Sequence, residues 1–314
     1  MAAARLSWQR HTLASKLLGD ERPLWVWAPD GATEELPAVF VLHAHMRSAD
    51  SWFNVEPFAQ SYPEAIAELE PRAVVALVDG WTPVGGSQWI DSEALGPFAA
   101  YLADEVVPFV DSHYPTTGVR ALQGKSSGGY GALVNALRRP DLFHAVAAHA
   151  PDALFEVTLA HGFPEAARTL RQRHGGSLAA FWESFTSLGS AGDFAVAVNG
   201  ALALAFSAGE LPFDVETAEL VPEVWERWLA HDPVRLVTEH ADAARSLRGL
   251  WLDVGDVDDY FADLGVLALR RALVAAGVRD DVLRFEIFPG GHRGISWRYP
   301  LSLSFLVGTL SITL

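Results

Sequence analysis

The 314-residue chain has no cysteine. Disulfides, thiolate metal sites and a cysteine nucleophile are thereby excluded, while the redox compartment stays open. Positive charge is scarce: Lys and Arg total 23 against 39 Asp and Glu, a formal charge of −16 spread along the chain rather than gathered in a tail. With no basic stripe, a polyanionic partner such as nucleic acid is not expected. Low-complexity tracts and internal repeats are also missing. The apolar stretch 301–314 falls short of the ~20 residues that span a bilayer, and reads as a last packing helix. Residues 1–11 hold no apolar core of signal-peptide length. The expectation is a soluble, cytoplasmic protein with no membrane span. Half of the residues are hydrophobic, enough for a large core, and the length suits one α/β domain with an insertion as well as it suits two domains.

What is present is organised around residues 119–134. An apolar, strand-like run (119–122) leads into Gly124-Lys125-Ser126-Ser127-Gly128, and helical spacing follows from 129 to 137. Strand, G-x-S-x-G, helix is the order of a nucleophile elbow in an α/β-hydrolase. A serine at the tip of so tight a turn needs flanks without a Cβ. The turn also places Ser126 at a helix N-terminus, where free N–H groups favour negative charge.

The flanking pattern alternates. Segments 5–13 and 24–28 read as an opening strand pair, and 38–43 and 73–78 as continuous apolar strands buried on both faces of a sheet. Segment 94–113 has helical spacing; 145–148, 249–254 and 283–288 are strands, 263–276 is a helix, and another helix follows from about 295. Strands alternating with helices predict a mostly parallel sheet flanked by helices, with ligands beyond the strands' carboxyl ends. The core would comprise residues 1–151 and 249–314. Residues 152–248 break the alternation and read as a mainly helical insertion, or cap, carrying Phe155, Phe163, Phe181, Trp182, Phe185, Phe194, Phe206, Phe213, Trp225 and Trp228. Most of these aromatics would form the insertion's own core; a lid, an acyl-pocket wall or a homo-oligomer contact are further readings.

A serine hydroxyl needs a base, and the base an orienting acid. In α/β-hydrolases they follow in the chain order serine, acid, histidine. After the strand at 249–254 come Asp256, Asp258 and Asp259, of which Asp258 is favoured. Of eleven histidines, His292 alone sits in a glycine-rich loop after the final strand; His149, at a strand end, is a rival. The three carboxylates also raise calcium, but they lack the ligand spread of an EF-hand loop, and His43 with His45 lacks a third metal ligand. No metal or organic cofactor is expected. For a developing oxyanion, N–H donors would come from Ser127 and from the loop after 38–43, where His45 is the candidate and Met46 the alternative. Trp81, Trp89 and Ser92 follow the strand at 73–78 and are candidate pocket residues.

The chain resembles the putative-esterase group of α/β-hydrolases, which includes esterase D (S-formylglutathione hydrolase), enterochelin esterase and the mycolyltransferases. The similarity is carried by Val39-Phe40-Val41-Leu42-His43, Asp91-Ser92 with Gly96, the run from Gly124 to Leu133, Pro140-Asp141-Leu142-Phe143, Gly255-x-x-Asp258-Asp259 and Gly290-Gly291-His292. It implies Ser126 as nucleophile, Asp258 as acid and His292 as base of a carboxylic ester hydrolase acting on a small-molecule ester. Acyl transfer or peptidase-like chemistry on the same residues is the alternative, and a non-catalytic binding protein a more distant one. Ala44 stands where the group often has glycine after the histidine, and Ser127 where it often has methionine.

Overall fold

A computed structural model describes residues 8–32, 34–54 and 60–311. Ten strands are described: β1 (Trp8–Ser15), β2 (Asp20–Trp27), β3 (Leu36–Leu42), β4 (Val74–Val78), β5 (Asp91–Ser92), β6 (Gly96–Pro97), β7 (Thr116–Lys125), β8 (Ala145–His149), β9 (Gly249–Gly255) and β10 (Leu283–Phe288). Eight of them form one sheet in the order β1-β2-β4-β3-β7-β8-β9-β10, and β5 and β6 make a small hairpin. The β1–β2 and β2–β4 pairs are antiparallel, and every other pair in the large sheet is parallel. This is the α/β-hydrolase architecture expected from the alternating pattern.

The parallel strands read as continuous apolar runs because both faces are covered. Phe40 and Leu42 of β3 belong to one apolar cluster, Val39 and Val41 to another on the opposite face. The second face is covered by helices Tyr62–Leu69 and Arg298–Leu310, through Ile66, Tyr299, Leu303 and Leu306. The first is covered by Ser127–Arg138 and Ala262–Ala275, and by a helix that runs through Phe98–Ala100, a π-helical Tyr101–Val106 and Val107–His113. The segment expected to be helical from 94 therefore starts its helix after the β5–β6 hairpin. The opening strand pair extends to Ser15, and its predicted residues 5–7 lie outside the described residues. The helix Tyr62–Leu69, not expected from the sequence, starts at a reciprocal cap between Ser61 and Glu64.

Between β8 and β9 the chain is mainly helical, with Phe163–Arg173, Ala191–Ser207 and Pro222–Leu229 among its helices. Its aromatics do pack on one another: Phe163 lies 4.8 Å from Phe213 and 5.8 Å from Trp228, ring centre to ring centre. That packing does not stop at the segment's edge. Phe206 stacks on Phe155 at 5.6 Å and meets Tyr130, of the helix after β7, at 6.0 Å. Segment and sheet face share one apolar cluster.

Candidate active site

Parallel pairing brings the carboxyl ends of β7, β8 and β9 level: Lys125 lies opposite His149, and His149 opposite Asp253. The next residue after β7 is Ser126, with φ 55° and ψ −128°. A non-glycine residue held in such a conformation costs on the order of 1–3 kcal/mol. The elbow is fixed by Ser126 N–H donating to His149 O (2.9 Å) and Tyr130 N–H donating to Ser126 O (2.8 Å). A Cβ on Gly124 would lie 2.3 Å from the carbonyl of Gly128, and one on Gly128 2.2 Å from Leu42 O. Both flanking glycines are thus required by close backbone approach, as the motif implied.

Beyond β9 and β10, two loops face each other. His292 Nδ1 and Asp258 Oδ2 are 2.7 Å apart, and both residues are 6% exposed. Asp258 Oδ1 accepts from the N–H of Tyr260 (2.9 Å) and of Ala262 (3.4 Å). Burial would raise the Asp258 carboxyl, but its bond to His292 and these N–H donors hold it below the ordinary carboxylate value. Tyr260 sets its ring edge-on to His292 at 4.8 Å and stacks on Phe194 of the helical segment at 6.1 Å. Of the alternative acids, Asp256 accepts from Gly290 N–H (3.0 Å), tying the two loops together, and Asp259 is exposed. Among the described residues the Ser126 hydroxyl has no hydrogen-bond partner, and none joins it to His292; such bonds are often long in free enzymes.

The rival histidine is engaged elsewhere. His149 Nδ1 lies 2.6 Å from Asp253 Oδ1, and its Nε2 lies 2.8 Å from Ser302 Oγ. Ser302–His149–Asp253 repeats the hydrogen-bond order of a catalytic triad, yet all three are fully buried. Asp253 also accepts from Trp251 Nε1 (2.7 Å) and Arg298 Nε (2.8 Å), and Ser302 from Gln123 Nε2 (2.7 Å). No substrate reaches this array, which sits inside the sheet–helix packing beneath the elbow.

The loop after β3 is pinned on several sides. The buried His43 accepts from Gly80 N–H at Nε2 (2.9 Å), and its Nδ1 lies 3.0 Å from Ala44 O. Burial holds its imidazole pKa below the ordinary value. Met46, at φ 60°, donates its N–H to Gly85 O (2.6 Å), which removes it as a free donor. The His45 ring lies over Gly85 and Gly86, and burial lowers its pKa to about 4. The N–H groups of His45 and Ser127 are not taken by any hydrogen bond described.

Of the three proposed pocket residues, the structure engages two elsewhere. Trp89 is only 2% exposed: its indole fills the space over Gly80 and Gly131 and donates to His43 O (3.1 Å). It is a core residue that supports the loop after β3, with no surface left for a substrate. The Ser92 hydroxyl donates to Leu204 O (2.8 Å) and accepts from Leu95 N–H (3.3 Å), fastening the helical segment to the core. Trp81 is exposed, and its carbonyl accepts from Arg22.

Two charged residues at the site were not singled out in the sequence. Asp152, three residues past β8, is pushed up to about 6 by burial and by Asp258, against the pull of His292 and Lys125. Lys125, inside the G-x-S-x-G motif, is lowered to about 8, chiefly by burial. The rule that ligands gather beyond strand carboxyl ends could have found both.

The family model described as Putative esterase matches residues 15–302. The chain belongs to that family, and is a carboxylesterase-type hydrolase. Its fold is similar to that of a ferulic acid esterase (19% identity, TM-score 0.61, covering 96% of this chain and 98% of that one). It is also similar to the fluorophosphonate-binding serine hydrolase F of Staphylococcus aureus (16%, 0.61, 96% and 98%). A third similar structure is an S-formylglutathione hydrolase from Agrobacterium tumefaciens (18%, 0.59, 97% and 95%).

Proposed function

We propose that the protein hydrolyses carboxylic esters through an acyl-enzyme on Ser126, with His292 as base and Asp258 as its orienting acid. The observation that carries this reading is the buried 2.7 Å contact between His292 Nδ1 and Asp258, which leaves Nε2 for the serine proton. Ser126 Oγ attacks the ester carbonyl while His292 Nε2 takes its proton. The carbonyl oxygen becomes an oxyanion, met by the N–H groups of Ser127 and His45. His292 then protonates the leaving alcohol, and water, deprotonated by the same nitrogen, releases the acid and restores Ser126. Asp258 stabilises the imidazolium without taking its proton. No step calls for a metal or organic cofactor.

The test is hydrolysis of p-nitrophenyl acetate, butyrate and octanoate by wild type and Ser126→Ala, beside labelling by a fluorophosphonate probe. Wild type turns over at least one ester and is labelled; the variant loses about four orders of magnitude or more in kcat and is not labelled. A wild type inactive on all three and unlabelled would sink the reading.

A further inference from the structure

Between the loops that follow β3 and β10 lies a cavity of about 230 Å³ lined by Arg47, Trp52, Tyr62, Lys125 (the residue before Ser126), residues 294–296 and Tyr299, among others. One wall is aromatic: Trp52, Tyr62 and Tyr299 pack at ring separations of 5.1, 5.2 and 5.3 Å. The rest is mostly polar, with positive charge from Arg47 and Lys125. Neither Arg47 nor Lys125 makes an ion pair or a side-chain hydrogen bond among the described residues. Arg293, whose charge also acts on Lys125, donates only to Tyr260 Oη (3.2 Å). Elsewhere in this chain of charge −16, the partly or wholly buried Arg22, Arg120 and Arg298 each find a carboxylate. Lysine itself is rare. Of the 23 basic residues only Lys16 and Lys125 are lysines, and one of the two adjoins the nucleophile.

An unpaired cation that is partly buried, as Lys125 is, is costly, and the cost is recovered when an anion takes its side. The nearby carboxylates of Asp258 and Asp152 favour the Lys125 charge from a distance, but neither forms an ion pair with it. Asp258 is committed to His292. Building on the esterase reading above, we propose that the ester cleaved at Ser126 carries a carboxylate, which Lys125 and Arg47 bind in this cavity. The space admits a short chain ending in a carboxylate.

The experiment compares three esters: p-nitrophenyl butyrate, mono-p-nitrophenyl glutarate (carboxylate on the acyl side) and 4-carboxyphenyl butyrate (carboxylate on the alcohol side). Wild type is expected to show kcat/KM about tenfold or more higher for one anionic ester than for neutral p-nitrophenyl butyrate. Arg47→Ala, at an exposed position, and Lys125→Met should each lower that anionic-to-neutral ratio about tenfold, mainly through KM. Hydrolysis of the neutral ester with no preference for either anion overturns the carboxylate site and leaves the esterase intact. A preference that survives both substitutions overturns the assignment to Lys125 and Arg47. Loss of all hydrolysis and of fluorophosphonate labelling would remove the esterase reading, and this inference with it.

Discussion

Asp258 and Asp152 act on each other's charge at one site, yet their carboxyl pKa values move in opposite directions, and that separation assigns them different tasks. Asp258 is held low by His292 and two N–H donors, so its ionised form stabilises the fold. That contribution is complete above the unfolded value near 3.9 and is lost as pH falls through the lower folded value. Asp152 has the reverse sign. Its charged form is penalised above about 6, and the penalty is relieved on acidification. Asp152→Asn should therefore raise the urea midpoint relative to wild type at pH 8, and the gain should shrink through pH 6 and level off below about 4. An equal gain at pH 8 and pH 4 would contradict this. Asp258→Asn, by leaving His292 without a carboxylate, should lower kcat about 10⁴-fold, whereas Asp259→Asn should stay within about threefold; pre-steady-state and steady-state rates on p-nitrophenyl butyrate would check both. At this scale the turn that carries Ser126 was legible because close backbone approach demands Gly124 and Gly128, and the loop of His292 because it follows the last strand. Asp258 could be placed only within a cluster of three. Trp89 misled, since nothing local shows that Gly80 and Gly131 leave room for its indole.

Among the elements, the strands were legible because a parallel strand covered on both faces must be a continuous apolar run. The helix Tyr62–Leu69 was overlooked although Ser61-Tyr62-Pro63-Glu64 carries a start signal. The buried array joining β8, β9 and the last helix could not be read at all. It depends on the register that sets His149 against Asp253 and on a helix 153 residues further along the chain bringing in Ser302. Its role is to tie helix to sheet. Arg298→Met, which strips a buried charge partner from Asp253, should cost about 3–5 kcal/mol in urea unfolding. Ser302→Ala should cost less, about 1–3 kcal/mol, by leaving His149 and Gln123 each short of a partner. Mass spectrometry of the fluorophosphonate adduct distinguishes the two serines: Ser302→Ala remains labelled, and Ser126→Ala does not.

Over the whole molecule, the sheet order and its two covered faces follow from the alternation of apolar strands and helices, while the helical segment between β8 and β9 could only be bounded. Among the described residues no helix is long and apolar enough to cross a membrane. The segment's outline was hidden because its aromatics serve two neighbours at once: Phe206 belongs as much to Tyr130 behind the nucleophile as to Trp228 beside it. Phe194 and Tyr260 extend the same continuity to His292. Calorimetry should accordingly show a single endotherm, since no boundary exists along which one part can melt and leave the other dry. For protein engineering the consequence is that this enzyme has no smaller version. Excising the segment and rejoining its ends would expose the apolar side of the elbow helix, and the shortened chain should collect in inclusion bodies rather than work as a minimal hydrolase.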